Sequence, residues 1–138
     1  MDADPSHIFV YGTLRSESDH PMARRLSSQA RLIGKGTAPG RLYDFGWYPA
    51  AVFDAAERRM VVGDVFALPL GGRLLVELDT YEGGDAYYAR SSLEVTLAGG
   101  GRLTAWAYGV REAPAVRLIP SGDFIAHRNA RMRRPVRP

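Results

Sequence analysis

Glycine and proline interrupt this sequence so often that no long helix fits into it: there are 15 glycines and 9 prolines in 138 residues. The apolar runs left between them are short and rich in β-branched and aromatic residues, so the expectation is many strands and few helices. The expected class is mixed α/β (α+β). Residues 7–11, His-Ile-Phe-Val-Tyr, read as a buried first strand ended by Gly12. Asp19-His20-Pro21 reads as a helix start with proline near the first turn, and Met22 with Leu26 gives a short apolar stripe towards Gln29. Four strand runs follow, at 31–33, 40–43, 48–53 and 60–68, enough for a curled sheet. Residues 73–82 form the best helix, with Gly83-Gly84 as its stop. A strand opening at Tyr87 and continuing through 93–97 turns at Ala98-Gly99-Gly100-Gly101 into 103–108 as a hairpin.

Composition bounds the function classes. A chain that is 46% apolar and 24% charged is an ordinary globule of one domain. Without cysteine it holds no disulfide, thiolate metal site or cysteine nucleophile. His7, His20 and His127 are far apart and lack clustered acids, which argues against a metal site. Ser91 and Ser92 have no elbow or paired histidine to activate them. Gly34-Lys35-Gly36-Thr37-Ala38-Pro39-Gly40 lacks the glycine spacing and following helix start of a dinucleotide loop. The opening Met1-Asp2-Ala3-Asp4-Pro5 is not a secretory signal and no apolar run suits a membrane span, so the cytoplasm is the expected compartment.

The formal charge of +3 invites a nucleic-acid reading, but its distribution does not support one. Residues 126–138 hold five arginines and no acid. Taking those five from the 18 basic residues leaves 13 against 15 acids, so residues 1–125 carry a net charge of −2. The domain is therefore read as 1–125, with 126–138 as an exposed or disordered arginine-rich tail.

Two positions stand out chemically. On a helical wheel of about 100° per residue, Leu74, Leu75, Leu78 and Tyr81 define a core-facing arc, with Glu77 and Asp79 outside it. Glu82 falls inside that arc. Burial, the negative end of the helix dipole and Asp79 three residues earlier would all push its pKa upward, towards the range a general acid/base needs. Equally, the last turn could fray and leave Glu82 in water. The second position is Tyr11-Gly12-Thr13-Leu14, where a turn after a buried strand would present successive N–H groups to a carboxylate or oxyanion. A plain strand-ending glycine is the alternative there.

Val10-Tyr11-Gly12-Thr13-Leu14-Arg15, Leu42-Tyr43-Asp44-Phe45-Gly46-Trp47-Tyr48-Pro49-Ala50, Leu78-Asp79-Thr80-Tyr81-Glu82-Gly83, Tyr88-Ala89-Arg90, Ala105-Trp106-Ala107-Tyr108 and Ser121-Gly122-Asp123-Phe124 occur in an order that resembles the γ-glutamylcyclotransferase-like family, most of all its short γ-glutamylamine cyclotransferase branch. The resemblance covers roughly residues 7–125. It implies a curled, barrel-like sheet with a cavity at one end, and cyclisation of a γ-glutamyl group to 5-oxoproline without cofactor or metal. It further implies Glu82 as the acid/base, Tyr11, Gly12, Thr13 and Leu14 as the substrate-binding turn, and Tyr88 and Tyr108 as pocket aromatics. Phe124 departs from the tryptophan usual after Gly-Asp. The expected partner is a small γ-glutamyl molecule. The alternative is a non-catalytic module that captures a small carboxylate and docks its basic tail on nucleic acid or an acidic protein.

Overall fold

The computed structural model describes residues 5–15, 20–83 and 88–132, the side chains of 82, 83, 131 and 132 excepted. In chain order the elements are β1 (His7–Val10), α1 (Pro21–Gln29), β2 (Arg31–Asp44), β3 (Pro49–Phe53), β4 (Met60–Ala67), α2 (Arg73–Gly83), β5 (Ala89–Leu97), β6 (Arg102–Gly109), β7 (Arg117–Leu118) and α3 (Phe124–Met132). Five strands in the order β2-β4-β1-β6-β5 close into a barrel, because β5 also pairs with β2. All the pairings are antiparallel except β1 with β6, where Ile8 lies opposite Trp106.

Strand periodicity explains why the first strand reads as continuously apolar. Phe9 and Tyr11 point into one core with Val65, Val95, Ala105 and Ala107. Ile8 and Val10 point the other way, into a second core with Leu26 of α1 and with Leu74 and Leu78 of α2. A strand filled on both faces needs apolar residues at every position.

The expected segments at 31–33 and 40–43 are one strand. β2 runs unbroken through the glycine-rich stretch between them and absorbs it with a register shift between Leu32 and Gly34. Its first half pairs with β4 and β5, its second half with β3 and β7. Gly36 is what allows the barrel to close, since a methyl group there would sit 2.7 Å from Val95 Cγ1.

The boundary expected after Ile125 falls inside α3. Buried Phe124 and Ile125 anchor that helix, and the Asp123 carboxylate accepts the Ala126 N–H at 3.0 Å as its cap. His127 reaches Asp44 at 2.8 Å, and the Arg128 guanidinium lies 5.8 Å from the Phe124 ring centroid. Residues 126–132 are thus helix rather than loose tail, and 133–138 lie outside the described residues. Among the described residues, no helix is long and apolar enough to cross a membrane.

Candidate functional site

The chain leaves β1 through a tight turn closed by the Arg15 N–H donating to the Gly12 carbonyl at 3.1 Å. Such a turn does not use the N–H groups of its two central residues, here Thr13 and Leu14, and among the described residues nothing accepts them. Gly12 is required by close approach: a methyl group there would lie 2.7 Å from Pro49 Cδ. Pro49 belongs to the Tyr48-Pro49-Ala50 segment, so two stretches of the sequence pattern meet at that point.

The turn is secured from below by charge. Arg15 is almost fully buried and donates to Asp123 at 2.7 Å, with Asp64, equally buried, 3.7 Å away. Burial alone would disfavour the Asp123 carboxylate, but the Ala126 N–H and the Arg15 guanidinium outweigh it and hold its pKa below the ordinary aspartate value. Arg15 and Asp123 are 108 positions apart in sequence.

From above, the turn meets the last turn of α2. The Thr13 Oγ1 and Tyr81 hydroxyls lie 3.2 Å apart, and His20 Nε2 is 3.1 Å from the same Tyr81 oxygen. Tyr81 was expected on the core-facing arc. It is 38% exposed instead, because its ring stands at the seam between α1, α2 and the turn, with its hydroxyl in this polar cluster. Leu74 and Leu78 of the same arc are buried. Glu77, on the other side, pairs with Arg25 of α1, whose hydrogen bonds hold its pKa down.

Asp79 was expected to be a solvated charge, and here the expectation fails. Its carboxylate accepts the Tyr108 hydroxyl at 2.6 Å and the Arg90 guanidinium at 2.8 and 3.2 Å, because the long side chains of β5 and β6 reach across to it. Arg90 also lies 4.2 Å from the Trp106 ring centroid. Glu82 itself sits on α2, but its side chain lies outside the described residues, as does Gly84, the expected helix stop.

The remaining expected binding residues come together around the same turn, and their polar atoms are already engaged. The Tyr11 hydroxyl donates to the Tyr108 carbonyl at 2.5 Å and accepts the Ala51 N–H at 3.3 Å. The Tyr88 hydroxyl donates to the Pro49 carbonyl at 2.8 Å. Leu14 is buried. These side chains shape the turn, and what they leave for a ligand is its backbone N–H groups and the Thr13 hydroxyl. Four contributors escaped the sequence reading: His20, Arg15, Asp79 and Asp123. His20 had a signal in its place before Pro21, where a helix cap belongs, and its Nδ1 does accept the Met22 N–H at 3.1 Å.

A groove of roughly 380 Å³ opens at the start of α2, lined by Pro5, Ser6, Leu70, Leu74, Arg90 and Trp106 among others. It shares Arg90 and Trp106 with the contacts above. Among the described residues, no three His, Cys, Asp or Glu side chains are grouped to hold a metal ion.

Comparison with known proteins bears on this arrangement. The family model described as "Gamma-glutamyl cyclotransferase, AIG2-like" matches residues 8–126. A curated protein of Methanocaldococcus jannaschii named "Putative gamma-glutamylcyclotransferase" is 27% identical over 124 residues, covering 88% of this chain and 98% of its own. The fold matches the crystal structure of YkqA from Bacillus subtilis with a TM-score of 0.74 at 24% identity, over 94% of this chain and 43% of YkqA, so this chain spans less than half of that protein. It also matches an AIG2-like protein from Mus musculus with a TM-score of 0.71 at 22% identity, covering 86% of this chain and 87% of the mouse protein.

Proposed function

Because the chain belongs to the γ-glutamyl cyclotransferase, AIG2-like family, we propose that it is an enzyme cyclising the γ-glutamyl group of a γ-glutamyl amine or amide to 5-oxoproline, with release of the free amine. The observation that carries the reading is the 3.2 Å contact between Thr13 and Tyr81. It brings the donor-bearing turn against the end of α2, where Glu82 follows Tyr81 in sequence.

The chemistry needs three things from the chain. A folded rotamer of the substrate must hold its α-nitrogen against its own γ-carbonyl, and enforcing it converts a slow cyclisation into a near-attack geometry. Glu82 takes a proton from the α-ammonium, and the freed nitrogen attacks the γ-carbonyl carbon. The N–H groups of the turn, from Gly12 to Leu14, then receive the oxyanion, each such donor being worth about 3 kcal/mol in comparable sites. As the tetrahedral intermediate collapses, the C–N bond to the leaving amine breaks. Protonated Glu82 returns its proton to that amine, and the ring nitrogen loses its second proton to solvent. Tyr88 and Tyr108 contribute their rings to the wall, since their hydroxyls are spent on Pro49 and Asp79.

Incubating the purified protein with a panel of γ-glutamyl amides and following 5-oxoproline tests the proposal. Glu82→Gln should lower turnover by about 10²-fold or more, with the circular dichroism spectrum and Tm retained. Wild-type rates in that variant would remove Glu82 from the mechanism.

A further inference from the structure

Where α2 meets the substrate turn at Thr13, the β2–β3 hairpin meets it at Gly12. The loop of that hairpin is tightly specified. The Phe45 N–H donates to the Tyr48 carbonyl at 3.1 Å, and Gly46, at φ +96°, takes the first central position, where a two-residue hairpin loop calls for positive φ. One oxygen of the Asp44 carboxylate accepts the Gly46 N–H at 2.6 Å, and the other lies 2.8 Å from His127 Nε2 on α3. The Phe45 and Tyr48 rings stack with centroids 5.4 Å apart, and Phe45 packs on Tyr43, Ala50 and Val52. Each of these residues helps to hold the loop. Trp47 does not: it is 89% exposed, more than any other aromatic side chain among the described residues. It stands two positions before Pro49, whose ring closes on Gly12, so the Cα atoms of Trp47 and Pro49 are at most about 7.6 Å apart. A firmly mounted, exposed indole is thus placed beside the turn.

We propose, resting on the cyclisation reading above, that Trp47 is a specificity-determining residue that packs on the body of the leaving amine and selects γ-glutamyl amides whose amine carries an aromatic ring. Once the γ-glutamyl head is seated on the turn, the amine substituent is the part of the substrate left to meet neighbouring surfaces. The surface that the hairpin offers is flat, apolar and uncharged, since residues 45–48 are Phe-Gly-Trp-Tyr. Such a surface suits a ring better than an amine that bears a carboxylate, which would lose hydration there without gaining a partner. Because the loop is already ordered by its own contacts, stacking on it immobilises little that was free before. The stacked ring lies away from the bond that breaks, so the gain is equal in ground and transition states and shows in KM rather than in kcat.

γ-Glutamyl phenethylamide and γ-glutamyl ethylamide differ only in the phenyl ring and test this directly. In the wild type, KM for the phenethylamide should be about tenfold the lower, with kcat for the two amides within about threefold. Trp47→Ala should remove that preference by raising KM for the phenethylamide, and Trp47→Phe, which keeps a ring in place, should restore most of it. Both variants should keep the wild-type Tm, because so exposed a side chain adds little to the fold. Equal KM values for the two amides in the wild type, a preference that survives Trp47→Ala, or equal losses on both amides in that variant overturn the proposal. If the wild type releases no 5-oxoproline from any amide, the cyclisation reading fails by itself. Trp47 is then judged on the Kd of γ-glutamyl phenethylamide by calorimetry: about tenfold weakening in Trp47→Ala upholds its role, and equal affinities or no binding to the wild type overturn it.

Discussion

The two sides of the turn at residues 12–15 are built on opposite principles. Beneath it, Arg15 is buried between Asp64 and Asp123. Above it, Thr13, Tyr81 and His20 form a polar cluster at the exposed rim. A buried charge released from its partner is expensive, so the lower side holds the turn rigidly but tolerates little change. Hydrogen bonds at an exposed rim contribute little to stability, so the upper side is free to be tuned to a ligand. One short turn thus divides the work of folding and of recognition between its faces.

The sharpest way to break that division is Arg15→Ala. Removing the guanidinium leaves the buried Asp64 carboxylate without this cation and opens a cavity, and should cost about 3–5 kcal/mol in a urea or thermal melt. A loss below about 1 kcal/mol would mean that the lower side is not what holds the turn. Gly12→Ala comes next. Its methyl group must displace Pro49, which should cost about 1–3 kcal/mol in denaturation and weaken turnover together, because the turn belongs to both sides. The smallest effect concerns acid. The Asp123 carboxyl has a folded-state pKa below its ordinary 3.8. Its contribution to stability is therefore fully present above about pH 4 and is lost as pH falls through the lower, folded value. Asp123→Asn keeps a capping oxygen for α3 but not the charge, so the stability gap between variant and wild type should narrow below about pH 4. A gap that stays constant down to pH 2 would show that the carboxylate's charge is not what Arg15 uses.

Much of the barrel was legible because its strands alternate or run apolar on a period the sequence displays. α1 and α2 were legible because Pro21 and the spacing of Leu74 and Leu78 mark them. What failed did so for identifiable reasons. β2 looked like two strands because glycine and proline usually interrupt a ladder, whereas here Gly36 lets another strand come close. α3 looked like a tail because its arginines mask a helix anchored by buried Phe124 and Ile125 and started by Asp123. Asp79 was misread because helical periodicity knows nothing of partners, and Arg90 and Tyr108 arrive from strands that the helix pattern does not contain. In the candidate site, the turn and Glu82 could be singled out one at a time. The contacts joining the turn to its surroundings could not, since Thr13 and Tyr81 are 68 residues apart and meet where α2 packs on the outer face of β1.

The tie between Arg15 and Asp123 has a consequence for the growing chain. The turn leaves the ribosome before the carboxylate that secures it, which is made 108 residues later. No amino-terminal fragment that stops short of position 123 can hold the turn as the finished protein does. The earlier-made half of the tie waits for the later one, and the site has no local address in the sequence.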